Sequence, residues 1–213
     1  AADFFATKIE EDPDAPELRF ELHSPLGDAP LSLPMAGRHN VLNALAAAAA
    51  SVSLGADLDA VGQGLRSMAN VDGRLRLVAG ANGVRVFDDT YNANPDSVNA
   101  AIEFIAAQPG TCWLVLGDMG ELGQEASGLH GMVGEQAARA NIDGLWCVGE
   151  LSRSTASAFG DSAHWYADVA ALIDALSDAM VPNVTVLVKG SRFMGLERVV
   201  LALTESRAEG GQS

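Results

Sequence analysis

The sequence predicts an α/β fold: a doubly wound, mostly parallel sheet from about Gly73 onward, preceded by a section of different character. Three observations carry that reading. Short apolar runs alternate with helical stretches through the second part of the chain. Those runs do not alternate polar with apolar, as expected of strands covered on both faces. Polar, Gly-rich or charged residues follow three of them, where an open parallel sheet places its ligands.

The elements follow in order. FFATKIEED and LRFELHSP read as antiparallel strands, with PLGD as a hairpin turn before APLSLPM. GRHN then leads into VLNALAAAAASVSLGA, a helix with Ala on nearly every face that reads as buried and is ended by Gly55. Leu58 to Met68 reads as a second helix, capped by Asp57 or Asp59. VDGRLRLVAGANGVRVFDDTY reads as two strands around Ala-Asn-Gly. Next come the strand VRVFDD and a helix from Pro95 to Gln108, then the strand TCWLVLGD and a helix from about His130 to Asn141. GLWCVGE precedes a short helix Ser152 to Phe159, and the weak strand HWYADV precedes Val169 to Met180. VTVLVKGS and a helix from Gly195 to Glu205 close the pattern, and the tail AEGGQS reads as disordered.

The 213 residues suit one to two domains, and 48% hydrophobic against 19% charged excludes a disordered chain. Thirteen Lys and Arg against 28 Asp and Glu leave a net charge of −15. That balance argues against nucleic acid and an acidic membrane surface as partners. No run of about 18 apolar residues is present to span a membrane, and no signal-peptide pattern opens the chain. Cys112 and Cys147 are the two cysteines, each inside an apolar run, and read as buried residues of a reducing compartment. The expected location is cytoplasmic. The chain starts AADFF without Met, so it is expected to be processed or a piece of something longer.

Chemistry collects at the ends of the apolar runs. The first is followed by Asp88-Asp89-Thr90-Tyr91-Asn92-Ala93-Asn94-Pro95, the second by Gly117-Asp118-Met119-Gly120-Glu121-Leu122-Gly123, and the last by Lys189-Gly190-Ser191-Arg192. Asn94 also reads as a plain cap for a helix with Pro at its first position. VKGSR carries the sharpest signal: a glycine for close backbone approach, a serine hydroxyl, and two cations in an acidic chain, which suits phosphate or carboxylate. His39 and Asn43 share a helix face at i, i+4. Asn43, among alanines, is expected to bond neighbouring backbone or to read a ligand edge such as a purine. Arg74, between the two halves, reads as a surface charge or as a cation reaching a phosphate across a cleft. His130 reads as structural, and His23 and His164 as surface or packing residues. No GxxxxGK[ST] phosphate loop is present. No glycine fingerprint follows the first strand, which weighs against a nicotinamide enzyme.

GRHNVLNALAAAAASVSLGA, VDGRLRLV, FDDTYNANPDS, LGDMGELGQEASGLH and VKGSRFMGLERVV follow one another in order. Together they resemble the Mur ligases of peptidoglycan synthesis over nearly the whole chain. DDTYNANP is the discriminating run, because the ligase that adds the third peptide residue carries a DYAHTP-like run there. The resemblance implies that residues 1–72 are the end of a central ATP-binding domain and 73–213 a Rossmann-like C-terminal domain. It implies an ATP-dependent ligase adding D-alanyl-D-alanine to UDP-N-acetylmuramoyl-tripeptide through an acyl phosphate, with Mg²⁺ held by residues outside this chain. Asn43, with His39 and Asn40, is implied as the adenine contact, Arg74 as the phosphate contact and Asp89 as the ribose contact. Asn92, Asn94, Lys189, Ser191 and Arg192 are implied on the amino-acid side, with Arg74 and Lys189 as the catalytic pair. Without a phosphate loop the chain alone is expected to be inactive. The competing expectation is a non-catalytic nucleotide- or peptide-binding module of the same fold. For residues 1–70 the expectation is exposed apolar surface, a missing partner segment or poor order.

Overall fold

The computed structural model describes residues 3–12, 17–68, 72–80 and 83–204. The chain divides into two compact units, Ala1–Val71 and Asp72–Ser213.

In the first unit β1 (Phe5–Glu11), β2 (Leu18–Ser24) and β3 (Gly27–Leu33) form an antiparallel three-stranded sheet in that order. The β2–β3 turn places Gly27 at φ 117°, where a side chain would be strained. Leu18, Phe20 and Leu22 alternate toward the core, where they meet Leu31 and Leu33. Two helices, α1 (His39–Ser53) and α2 (Leu58–Arg66), cover this face. Asp57 caps α2, accepting the Ala60 N–H at 2.8 Å.

The Ala-rich α1 departs from the expectation of burial all round. It buries Asn40, Val41, Ala44 and Ala48, while Leu42 is 69% exposed and Ala46, Ala47 and Ala50 lie on the open side. Alanine on every face cannot mark which face is covered; the wider residues Val41 and Leu42 do so only once packed. This is the exposed apolar surface expected within residues 1–70.

The second unit carries a six-stranded sheet in the order β4-β5-β9-β6-β7-β8. Its strands are β4 (Arg76–Ala79), β5 (Arg85–Asp89), β6 (Cys112–Gly117), β7 (Gly144–Val148), β8 (Ala163–Tyr166) and β9 (Thr185–Lys189). Among the described residues of this sheet, β4 and β5 pair antiparallel and the other pairs are parallel. The Ala-Asn-Gly turn joining β4 and β5 lies partly outside the described residues, as does all of the tail AEGGQS. β7 and β9 are buried along their whole length, as their unbroken apolar runs require.

Helices cover both faces. On one, α6 (Val169–Ala179) and α7 (Glu197–Thr204) supply Leu172, Leu176, Val199 and Leu203 against Val86, Val115, Val148 and Val186. On the other, α3 (Pro95–Ala106) sets Phe104 edge-on to Phe87 of β5, with centroids 4.7 Å apart, and α4 (Ala126–Arg139) and α5 (Ser152–Phe159) pack alongside. α4 begins at Ala126, a turn before the expected His130, because a 3-10 turn Gly123–Glu125 feeds straight into it. The strand order leaves β9 between β5 and β6, so the loops after these three strands lie side by side at the carboxyl edge.

Candidate functional site

The carboxyl edge of the second sheet brings together most of the residues that the sequence singles out there. β5 and β9 are in register with Asp89 opposite Lys189. Lys189 Nζ donates to Asp89 Oδ2 at 2.7 Å and to the Asn92 carbonyl at 2.9 Å, and its side chain is 4% exposed. A cation this buried has to be paired, and a carboxylate 100 positions earlier pairs it. Lys189 is therefore not the open cation that VKGSR suggests.

Ser191 is likewise committed. It is buried; its Oγ accepts the Gly120 N–H at 2.8 Å and donates to the Ala93 carbonyl at 3.3 Å. Its N–H donates to the Asp118 carbonyl at 3.1 Å. One serine thus ties the loops after β5, β6 and β9. The close approach expected at Gly190 is present: a Cβ there would lie 2.7 Å from Leu196 Cδ1 and 3.3 Å from Gly117 Cα. After VKGS, residues Arg192–Met194 make one 3-10 turn, and Gly195 is left-handed at φ 60° before α7. Of the cations in this segment, Arg192 is the exposed one.

On the β5 side, Asp88 is buried. Its Oδ1 accepts from the Thr90 N–H and hydroxyl, at 3.2 and 2.7 Å, and its Oδ2 accepts the Gly73 N–H at 3.2 Å. Asp89 Oδ1 accepts the Leu75 N–H at 3.2 Å. Asn94 is the α3 cap: its Oδ1 accepts the Ser97 N–H at 2.8 Å while Ser97 Oγ accepts the Asn94 N–H at 3.0 Å, with Pro95 next. Asn92 is exposed and its Oδ1 accepts the Ala93 N–H at 2.9 Å. Arg74 is exposed, with its guanidinium carbon 4.4 Å from the centroid of the Tyr91 ring.

His39, Asn40 and Asn43 lie in the first unit, at the start of α1. The buried amide there is Asn40, not Asn43. Asn40 Nδ2 donates to the Ala36 carbonyl at 2.7 Å and its Oδ1 accepts from Asn43 Nδ2 at 3.1 Å; Asn43 and His39 are exposed.

Two contributors carry no distinct sequence signal. Asp118 accepts the N–H groups of Leu151 and Ser152, at 3.2 and 2.7 Å, at the start of α5. Tyr91, an aromatic in an otherwise polar run, is 47% exposed. His130 is fully buried and structural: Nε2 accepts the Met119 N–H at 3.0 Å, which leaves Nδ1–H to donate to the Ala126 carbonyl at 2.7 Å. Among the described residues no three His, Cys, Asp or Glu side chains group to hold a metal ion, and no helix is long and apolar enough to cross a membrane.

The family profile described as "Mur ligase, glutamate ligase domain" matches residues 73–192, more than half of the chain. The chain belongs to the Mur ligase family. It is 44% identical over 207 residues to the UDP-N-acetylmuramoyl-tripeptide–D-alanyl-D-alanine ligase of Escherichia coli, covering 96% of this chain and 45% of that protein. The ligase of the same name from Haemophilus influenzae is 36% identical over 192 residues, covering 87% of this chain and 42% of that protein. Among solved structures, MurF from Acinetobacter baumannii superposes with a TM-score of 0.86 at 34% identity, over 96% of this chain and 45% of that one. A MurF ligase from Thermotoga maritima, solved with ADP, superposes at 0.81 over 95% of this chain and 46% of that one. At 23% identity the latter shows the shared fold. This Mur ligase chain thus spans about half the length of the relatives it matches.

Proposed function

We propose that this chain is part of an ATP-dependent ligase that adds D-alanyl-D-alanine to UDP-N-acetylmuramoyl-tripeptide in peptidoglycan precursor synthesis. The observation that carries the reading is 44% identity, over 96% of the chain, to a relative bearing that name. On this reading residues 1–72 are the end of the ATP-binding domain and 73–213 the C-terminal domain. ATP phosphorylates the tripeptide carboxylate, the amine of D-alanyl-D-alanine attacks the acyl phosphate, and inorganic phosphate leaves with formation of the amide. The protein contributes positioning and charge.

Arg74 is the residue of this chain that meets the ATP phosphates, because its guanidinium is exposed and rests on a ring instead of a carboxylate. Arg192, also exposed, suits the carboxylate of the incoming dipeptide. Lys189 acts through Asp89, fixing the β5 loop that carries Asn92 and the Asn94 cap, and Ser191 holds the three loops together. Asn43 and His39, exposed on one face of α1, suit the adenine, with Asn40 orienting Asn43. On this reading Mg²⁺, which would neutralise charge on the phosphates, would be held by residues outside this chain.

The test is D-alanyl-D-alanine-dependent phosphate release from ATP and the UDP-tripeptide. The full-length ligase carrying this chain turns over, and Arg74→Ala lowers its kcat/KM by about 100-fold, as loss of one charge-stabilising group does. The 213-residue chain alone, lacking a phosphate loop, does not turn over. Robust turnover by it alone, or a full-length enzyme indifferent to D-alanyl-D-alanine, overturns the reading.

A further inference from the structure

Arg74 lies between two residues held in left-handed backbone: Gly73 at φ 74° and Leu75 at φ 51°. For Leu75 this conformation costs about 1 kcal/mol, and it is 2% exposed, so the surroundings impose it. The impositions are on both sides. Asp88 takes the Gly73 N–H at 3.2 Å, and the Gly73 carbonyl takes the Tyr91 N–H at 2.9 Å. Asp89 takes the Leu75 N–H at 3.2 Å while its other oxygen is held by buried Lys189. A Cβ on Gly73 would sit 2.8 Å from the Tyr91 nitrogen, so the two segments touch backbone to backbone. The backbone of Arg74 is therefore fixed relative to the backbone of Tyr91.

Its neighbours show what is unusual about Arg74. Arg76 meets Asp72 at 3.1 Å and Asp88 at 3.9 Å, and Lys189 meets Asp89 at 2.7 Å. Arg74 pairs with no carboxylate among the described residues and lies 4.4 Å over the exposed ring of Tyr91. A carboxylate would hold an arginine equally well, but it would neutralise the charge and compete with an incoming anion. An aromatic face orients the guanidinium plane and leaves both the charge and the outer N–H groups available.

We propose that Tyr91 is the positioning residue of Arg74, its ring face holding the guanidinium ready for the phosphates of the bound nucleotide with the positive charge uncompensated. The proposal rests on the reading of Arg74 given above. Tyr91 takes no part in bond making; it reduces the number of arginine rotamers that must be frozen when phosphate arrives.

The test uses the full-length ligase, with ATP as the varied substrate. Tyr91→Leu, which keeps apolar bulk and removes the ring, lowers kcat/KM for ATP about fivefold, the worth of an exposed cation–π contact. Tyr91→Phe restores it to within about twofold, since the face and not the hydroxyl is used. In an Arg74→Ala background, Tyr91→Leu causes no further loss. The Arg74 Nε–H proton resonance, displaced by the ring in the wild type and in Tyr91→Phe, returns to its ordinary position in Tyr91→Leu. Unchanged kinetics in Tyr91→Leu, an equal loss in Tyr91→Phe, or an equal further loss in the Arg74→Ala background overturns the proposal. If Arg74→Ala itself leaves ATP kinetics unchanged, the reading of Arg74 as the phosphate contact falls, and the positioning role falls with it.

Discussion

Asp118 spends both of its oxygens on the start of another element. Oδ1 accepts the Ser152 N–H at 2.7 Å and the Ser152 hydroxyl; Oδ2 accepts the Leu151 N–H at 3.2 Å. Asp118 is 7% exposed, and a Cβ on Gly149 would lie 2.5 Å from its carboxylate, so the group is closely packed. Removing it leaves buried donors unpaired. Asp118→Ala should destabilise the second unit by about 3 kcal/mol and Asp118→Asn by about half of that, since the amide keeps one acceptor. Urea unfolding followed by tryptophan fluorescence reads this, because Trp113, Trp146 and Trp165 all lie in that unit. A loss below 1 kcal/mol for Asp118→Ala would count against the assignment. The same distance in sequence explains which site residues are legible before folding. Asn94 reads as a cap because cap and partner are three residues apart, and it is one. Lys189 and Ser191 read as open groups because their partners, Asp89, Ala93 and Gly120, are 71 to 100 positions away. Only the parallel pairing of β5, β6 and β9 brings them together.

At the scale of elements, α4 and α5 show how one helix can carry glycines of opposite meaning. Gly134 is buried against α5, and a Cβ there would fall inside the Thr155 carbonyl oxygen and within 3.0 Å of Ala158 Cβ. Backbone cannot yield as a side chain can, so Gly134→Ala should cost about 3 kcal/mol through overpacking. Gly131, one turn earlier on the same helix, has nothing within 4 Å of its Cβ position. Gly131→Ala should stabilise by about 0.5–1 kcal/mol, from helix propensity and a less free unfolded chain. Opposite signs are the expected outcome of thermal unfolding of the two variants; destabilisation by both would contradict the open environment at Gly131. The strands were readable as elements because a run such as CWLVLG has no polar face to confuse with a surface strand. The burial of α1 was not readable, because alanine carries no information on which side is covered.

At the scale of the whole molecule, pH acts through the two cysteines, both free and buried. Burial, and after it the charge of Asp118, pushes the Cys147 thiol far above its ordinary value; burial and then Asp143 push Cys112 up as well. In the unfolded chain both titrate near their ordinary value of about 8.5. Below that pH, folded and unfolded chains both keep the proton and stability is unaffected. Above it the unfolded chain releases protons that the folded chain retains, so stability falls as pH rises. Each retained proton contributes a slope of up to about 1.4 kcal/mol per pH unit. Urea unfolding between pH 7 and 10 should therefore bend downward above about 8.5. Cys147→Ala should start lower at neutral pH, because it empties a packed position, yet fall less steeply above the bend. Other alkaline groups contribute equally to both proteins and cancel in the difference. Parallel curves for wild type and Cys147→Ala would mean that the unfolded chain gains nothing by ionising this thiol, contrary to its complete burial at 0% exposure in β7.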